Sequence, residues 1–505
     1  MARLLGTETE YAIVTPDRPD FSPIVSSTHA VVAYAALHTD ARTRWDFAEE
    51  HPLRDSRGFD LKRYQTVPVV DPHAIGVANV VTASGARFYV DHAHPEYSSP
   101  ECRNAWEGML YDAAGDVVLR KAAAAVDQLT AQDTSVLSDH EPCPPLKFYK
   151  NNVDGKGASY GSHENYQWSR STDFDDLAQG LIPFFVTRQV VTGAGRVGLG
   201  PEGQEPGFQI SQRADYIEQE ISLETTLNRG IINTRDEPHA DAHQFGRLHV
   251  IIGDANMSQT SNLLKLGMTS LVIDSIEGGV DFSDVRLVDP VEAVRTVSRD
   301  LELKEKLPLC GGGQMTALEI LAVYRSRVSA DTDAEREVLR RFDEVVELLS
   351  TDPLQAAHLL DWVAKYRLIK GYLDRGVAAD DPKLALIDLQ YADIDPARSL
   401  YHALVRRGQM RTLVSEEEIE RAADVAPPGS RAGLRGAFMQ HYAADLVSAN
   451  WQYVALRRGD LTTLFELDEL LTAAPETREA IIHGELDLDQ LISRLKAEGI
   501  SPEYR

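Results

Sequence analysis

Cysteine is nearly absent. Cys102, Cys143 and Cys310 stand far apart among 505 residues, which excludes a disulfide framework and a paired-cysteine metal site. A reducing, cytoplasmic setting is the simplest expectation. Long apolar runs are missing as well. None approaches the roughly 20 residues of a membrane helix, and Met1-Ala2-Arg3-Leu4 runs straight into a strand pattern instead of a signal peptide. Basic charge is in deficit, 51 Lys and Arg against 78 Asp and Glu, for a net charge of −27. Such a surface repels nucleic acid, although a local arginine cluster can still hold phosphate or an acidic peptide. Several signatures are absent too: there is no GxxxxGK[ST], no HExxH and no GxSxG. Gly311-Gly312-Gly313-Gln314 lacks the Lys and Ser/Thr of a phosphate loop, and Thr192-Gly193-Ala194-Gly195 lacks a dinucleotide fingerprint.

What is present is an ordinary globular composition, 43% hydrophobic and 26% charged, on a chain too long for one simple core. Residues 4–14 read as a strand, and 27–38 as a capped helix. Residues 39–80 are irregular, rich in Arg, Asp, Pro and Gly, and read as either a disordered insertion or a gating loop. Strands are expected at 85–91, 145–152 and 246–254, and helices at 100–129, 175–191 and 258–273. Residues 286–425 are mainly helical in pattern. Pro427-Pro428-Gly429-Ser430 is the clearest linker, and the remainder reads as a small, mostly helical appendage.

The chemistry concentrates on strands. Glu8 and Glu10 share one face of the first strand, as Arg87, Tyr89 and Asp91 do at 85–91 with Phe88 and Val90 opposite. Carboxylates so aligned are costly unless a cation sits on them. Arg87 suits phosphate; Asp91 suits a metal, a base or a nucleophile. Glu96 follows just past a turn. Ser99 lies at an expected helix start, where backbone N–H groups favour anions. Arg247 and His249 repeat the alternation, and His163 follows a glycine-rich turn. Arg213 is either an anion contact or a surface arginine. Hard oxygen ligands with few histidines favour Mg2+ over Zn2+.

Five separated blocks, GTETEYAI, RFYVDHAHPEYSSPEC, GSHENY, ISQRADY and GRLHVIIGDANMS, together resemble the Pup ligase/Pup deamidase family, where Pup is the small prokaryotic ubiquitin-like modifier. The resemblance implies an α+β fold like that of glutamine synthetase and the carboxylate-amine ligases. It has a curved antiparallel sheet packed with helices over residues 1–428, an insertion at about 39–80, and a small C-terminal domain at 429–505. It further implies Glu8, Glu10, Tyr89, Glu96, His163 and His249 around Mg2+. ATP contacts would come from Arg87, Ser99, Arg247 and Trp451, the last in an expected helical stretch, with Arg213 facing phosphate or a carboxylate of Pup. Asp91 would be the catalytic carboxylate, attacking directly, activating water or assisting a phosphate. The long stretch between Glu8 and Asp91 resembles the deamidase branch, which hydrolyses the C-terminal Gln amide of Pup and the isopeptide bond to tagged lysines. That branch requires ATP without consuming it at each turnover. The partners implied are Pup and pupylated proteins. An ATP-consuming Pup–protein ligase of the same fold is the alternative.

Overall fold

The computed structural model describes residues 3–38, 45–47, 50, 54–57 and 75–504. Most of the irregular stretch at 39–80 therefore lies outside the described residues, as does any reading of it as a gate. Its last two residues belong to a strand.

An eight-stranded sheet organises the site. Its strands are β1 (Leu5–Glu10), β2 (Asn79–Val81), β3 (Arg87–Asp91), β4 (His94–Ser98), β5 (Ser162–Ser169), β6 (Ile217–Ser222), β7 (Arg229–Asn233) and β8 (Phe245–Val250), in the order β6-β7-β8-β5-β1-β4-β3-β2. The expected sheet was antiparallel. The observed one is mixed, because β6 and β7 run parallel while every other pairing is antiparallel.

Helices α1 (Pro23–His38), α2 (Ala105–Thr130) and α3 (Gln259–Glu277) pack against one face of the sheet. That face carries Leu5, Phe88, Tyr97, Tyr166 and Leu248, all buried. Asn104 starts α2 by accepting the Glu107 N–H, one of the four donors a helix start leaves unpaired. At Gly115 a Cβ would stand 2.6 Å from the Tyr97 ring, so helix and sheet approach only because no side chain intervenes there.

Local differences from the sequence reading have physical causes. The expected strand at 4–14 divides at Tyr11, after which Ala12–Val14 pairs with Lys147–Tyr149 in a separate sheet. Tyr11 is fully buried, and its hydroxyl donates to Asp116 at 2.6 Å. The first helix begins four residues early, at Pro23, which suits a first turn.

The chain after Pro428 is not mostly helical. Helix α4 (Arg431–His441) precedes a four-stranded sheet of β9 (Leu446–Ala449), β10 (Tyr453–Arg458), β11 (Leu461–Glu466) and β12 (Glu503–Tyr504), with short helices between the last two strands. Alternating Val454, Leu456 and Phe465 share an apolar core with Leu434 and Phe438 of α4, and Trp45 and Val81 join it from the N-terminal part. The helix lies against the turn before β3, where a Cβ on Gly436 would strike the Ala83 carbonyl. Among the described residues, no helix is long and apolar enough to cross a membrane.

Candidate functional site

The face of the sheet opposite the helices carries the polar residues, and register sets their rows. Glu8 of β1 stands opposite Ser98 on one side and His163 on the other. Glu10 stands opposite Glu96, which in turn faces Tyr89. These strands wall a cavity of about 470 Å³ lined by Glu8, Glu10, Arg87, Tyr89, Asp91, Glu96, His163, Arg213, Arg247 and Trp451. A more apolar cavity of about 300 Å³ adjoins it, lined among others by Leu4, Ser99, Phe245, His239 and Trp451.

Two ligand clusters lie side by side. In one, donor atoms of Glu8, His163 and His249 are all within 4.8 Å of one another. In the other, carboxylate oxygens of Glu10, Asp91 and Glu96 are equally close. His249 Nδ1 lies 3.0 Å from Asn165 Oδ1. That contact places the proton on Nδ1 and leaves a lone pair on Nε2, which is buried without a partner. An orphaned imidazole nitrogen beside a carboxylate and a second imidazole is the donor arrangement a divalent cation completes.

The electrostatics agree. Burial pushes the Glu96 carboxyl well above the usual range, and the charges of Asp91, Glu10 and Glu8 push it further. Three acids thus crowd together, each opposing the ionisation of its neighbours. Burial also works to raise Glu8, but the His163 hydrogen bond and the Arg247 charge outweigh it and hold Glu8 well below its usual range. Glu10 is lowered against its burial by His94, whose Nδ1 is 3.1 Å away, and it accepts the Gly161 N–H at 2.7 Å. Burial and the Arg247 charge hold the His249 imidazole well below its ordinary value, so it is neutral and able to ligate. The residues present fit a hard divalent cation with some imidazole character, such as Mg2+.

The arginines divide by what holds them. Arg87 lies between aromatic rings, 3.8 Å from the Tyr89 centroid and 4.3 Å from that of Trp45. Arg247 Nη2 donates to Glu237 at 3.0 Å and Nη1 to Asn165 at 2.9 Å. Arg213 is no surface arginine: it is 1% exposed, donates to the Tyr160 carbonyl, and leaves Nε unpartnered. Burial and the nearby Arg229 bring it down to about 10. Arg229 lines the same cavity and bonds only to carbonyls among the described residues. Two buried cations with no ion-pair partner among the described residues form a place for an anion.

Two expectations fail on position. Ser99 does not open a helix, since α2 starts at Ala105. Its hydroxyl is already engaged, accepting the Thr7 N–H at 2.9 Å and donating to Pro100 O. Trp451 is not helical. It lies in the turn between β9 and β10, and Arg435 stacks 4.8 Å from its ring. Sequence reasoning also missed His94, Arg229, Glu237 and His239, and the anchor formed by Glu101 with Arg431 and Arg435 (2.7 and 2.8 Å). For that anchor the one available signal was two arginines at i, i+4 on a single helix face.

Comparison with known proteins gives the family. A family model described as "Pup-ligase protein" matches residues 3–455. The chain is 49% identical to the Pup deamidase/depupylase of Mycolicibacterium smegmatis over 91% of its length and 92% of that protein's. It is 40% identical to the Pup–protein ligase of Geodermatophilus obscurus, over 72% of its length and 80% of that protein's. Among solved structures, the complex between Pup and its ligase PafA matches with a TM-score of 0.77 at 30% identity, covering 95% of this chain and 92% of that one. PafA in complex with ADP matches with a TM-score of 0.71 at 32% identity, covering 87% and 98%.

Proposed function

Because the chain belongs to the Pup-ligase family, we propose that it is a Pup deamidase and depupylase, hydrolysing the C-terminal Gln amide of Pup and the isopeptide bond between Pup and substrate lysines, with ATP and Mg2+ as cofactors. One observation carries the choice of hydrolase: likeness to the deamidase/depupylase relative is higher, and extends over more of the chain, than likeness to the ligase.

The site supports this reading. The apolar cavity suits a nucleotide base beside Trp451 and Phe245, and the adjoining cavity suits its phosphates, beside Arg87 and Arg247. The complex of PafA with ADP supports a nucleotide as the ligand. Bound ATP and Mg2+ would supply phosphate oxygens and concentrated positive charge to the site. Glu8, Glu10, Tyr89, Glu96, His163 and His249 are the proposed metal-binding set. Arg213 and Arg229 hold an anionic group of the substrate or nucleotide. Asp91 is the reacting carboxylate because it is the open one in its cluster: its side chain is 43% exposed against 11% for Glu10. His92 Nδ1 fixes one Asp91 oxygen at 3.0 Å. From there Asp91 either attacks the amide carbon or takes the proton of an attacking nucleophile.

The test is incubation with Pup ending in Gln, ATP and Mg2+. Mass spectrometry should show Pup gaining the difference between an amide and an acid, with ADP far below product. A Pup conjugate formed in step with ADP is the result expected of the ligase alternative, which the likeness to PafA favours, and it would replace this reading.

A further inference from the structure

His239 lies where the two cavities meet and lines both. Its backbone sits in the left-handed region, at φ 49°, a conformation that residues other than glycine seldom adopt and that concentrates at functional sites. The strained segment is held from outside. Arg431 Nη2 donates to the His239 carbonyl at 2.8 Å, and Arg431 Nε is itself fixed by Glu101 at 2.7 Å. Among the described residues, neither ring nitrogen of His239 has a hydrogen-bond partner. Burial, then the charges of Arg247 and Arg431, keep the imidazole well below its ordinary range, so it is neutral. A neutral imidazole offers one donor and one acceptor. The Trp451 ring, tilted by 48° at 6.3 Å, borders the same passage.

We propose that His239 is a specificity-determining residue that recognises the sugar of the bound nucleotide, with one ring nitrogen hydrogen-bonded to a sugar hydroxyl. The inference rests on the nucleotide reading above. With the base in the apolar cavity and the phosphates in the acidic one, the junction belongs to the sugar. A sugar hydroxyl there meets a ring nitrogen that no group among the described residues engages. The strain is then the cost of aiming a side chain into a passage that a right-handed backbone would turn away from.

The test titrates ATP, 2′-deoxy-ATP and inorganic tripolyphosphate, each with Mg2+, into the full chain and into H239N and H239G by calorimetry. Asn and Gly both accept a positive φ, so either variant alone suffices if the other fails to fold. ATP affinity should fall roughly 5- to 20-fold, the scale of one or two lost hydrogen bonds. Tripolyphosphate affinity should stay within about twofold, and the advantage of ATP over 2′-deoxy-ATP should shrink. Variants that keep full ATP affinity, or that lose ATP and tripolyphosphate alike, overturn the proposal. A wild-type chain that binds none of the three probes overturns the nucleotide reading itself, which is a distinguishable result.

Discussion

At the scale of single residues, the site is a problem of too many carboxylates. Asp91→Asn keeps the shape of the side chain and removes its capacity to attack or accept a proton. It should leave the fold intact and cut deamidation by roughly 10²–10⁴-fold, measured by mass spectrometry on Gln-terminated Pup; a loss under about tenfold on that scale would remove Asp91 from the chemistry. Glu96 is the most strongly opposed acid in the group. Mg2+ should raise the melting temperature of the wild-type chain by mass action, and Glu96→Gln should blunt that rise in a thermal melt with and without the ion. An equal rise in both proteins would detach Glu96 from the cation.

Much of this layer was legible in the sequence, because strand alternation is local. Period two alone sets Arg87, Tyr89 and Asp91 on one face and Phe88 on the other, and the burial of Phe88 at 0% follows it. His239 and Arg229 were not legible. Nothing near them in the chain marks them, and they reach the cavity only through the register of β7 and β8 and a strained turn.

Among elements, close approach decides more than propensity. Helix α2 reaches the sheet through a position without a side chain, so Gly115→Ala should push Tyr97 aside and cost about 1–3 kcal/mol, read as a lower midpoint in urea. Gly115→Ala at wild-type stability would show that the layer yields freely. Element type was readable where periodicity was long, as in α2 and α3. It was misread where tertiary pairing chose the outcome. The strand at 4–14 looked continuous, yet the buried Tyr11 hydroxyl bond to Asp116 turns the chain into a second sheet. Residues 446–466 looked helical near Trp451, yet two tight turns fold them into a meander whose apolar face covers α4.

For the whole molecule, an ionic anchor joins the segment after β4 to α4. Glu101 accepts from Arg431 and Arg435, and Arg435 also donates to the Gly85 carbonyl and stacks on Trp451. Burial works to raise Glu101, but the charges and hydrogen bonds of the two arginines outweigh it and bring it down to about 2. A carboxyl lowered in the folded state contributes stability above its unfolded value of about 4.5 and loses it as pH falls toward 2. Glu101→Ala should therefore cost about 3–5 kcal/mol at neutral pH, and the gap from wild type should close between about pH 4.5 and 2 in melts across that range. A gap that does not change with pH would assign the loss to packing.

Trp451 lies at the common wall of both cavities and follows α4 in the chain. A nascent chain that has emerged only through β8 lacks that wall and also α3, which packs behind the sheet, so competence arrives late in synthesis. Half-made copies of this hydrolase would be inert bystanders among the proteins whose tags the finished copy removes.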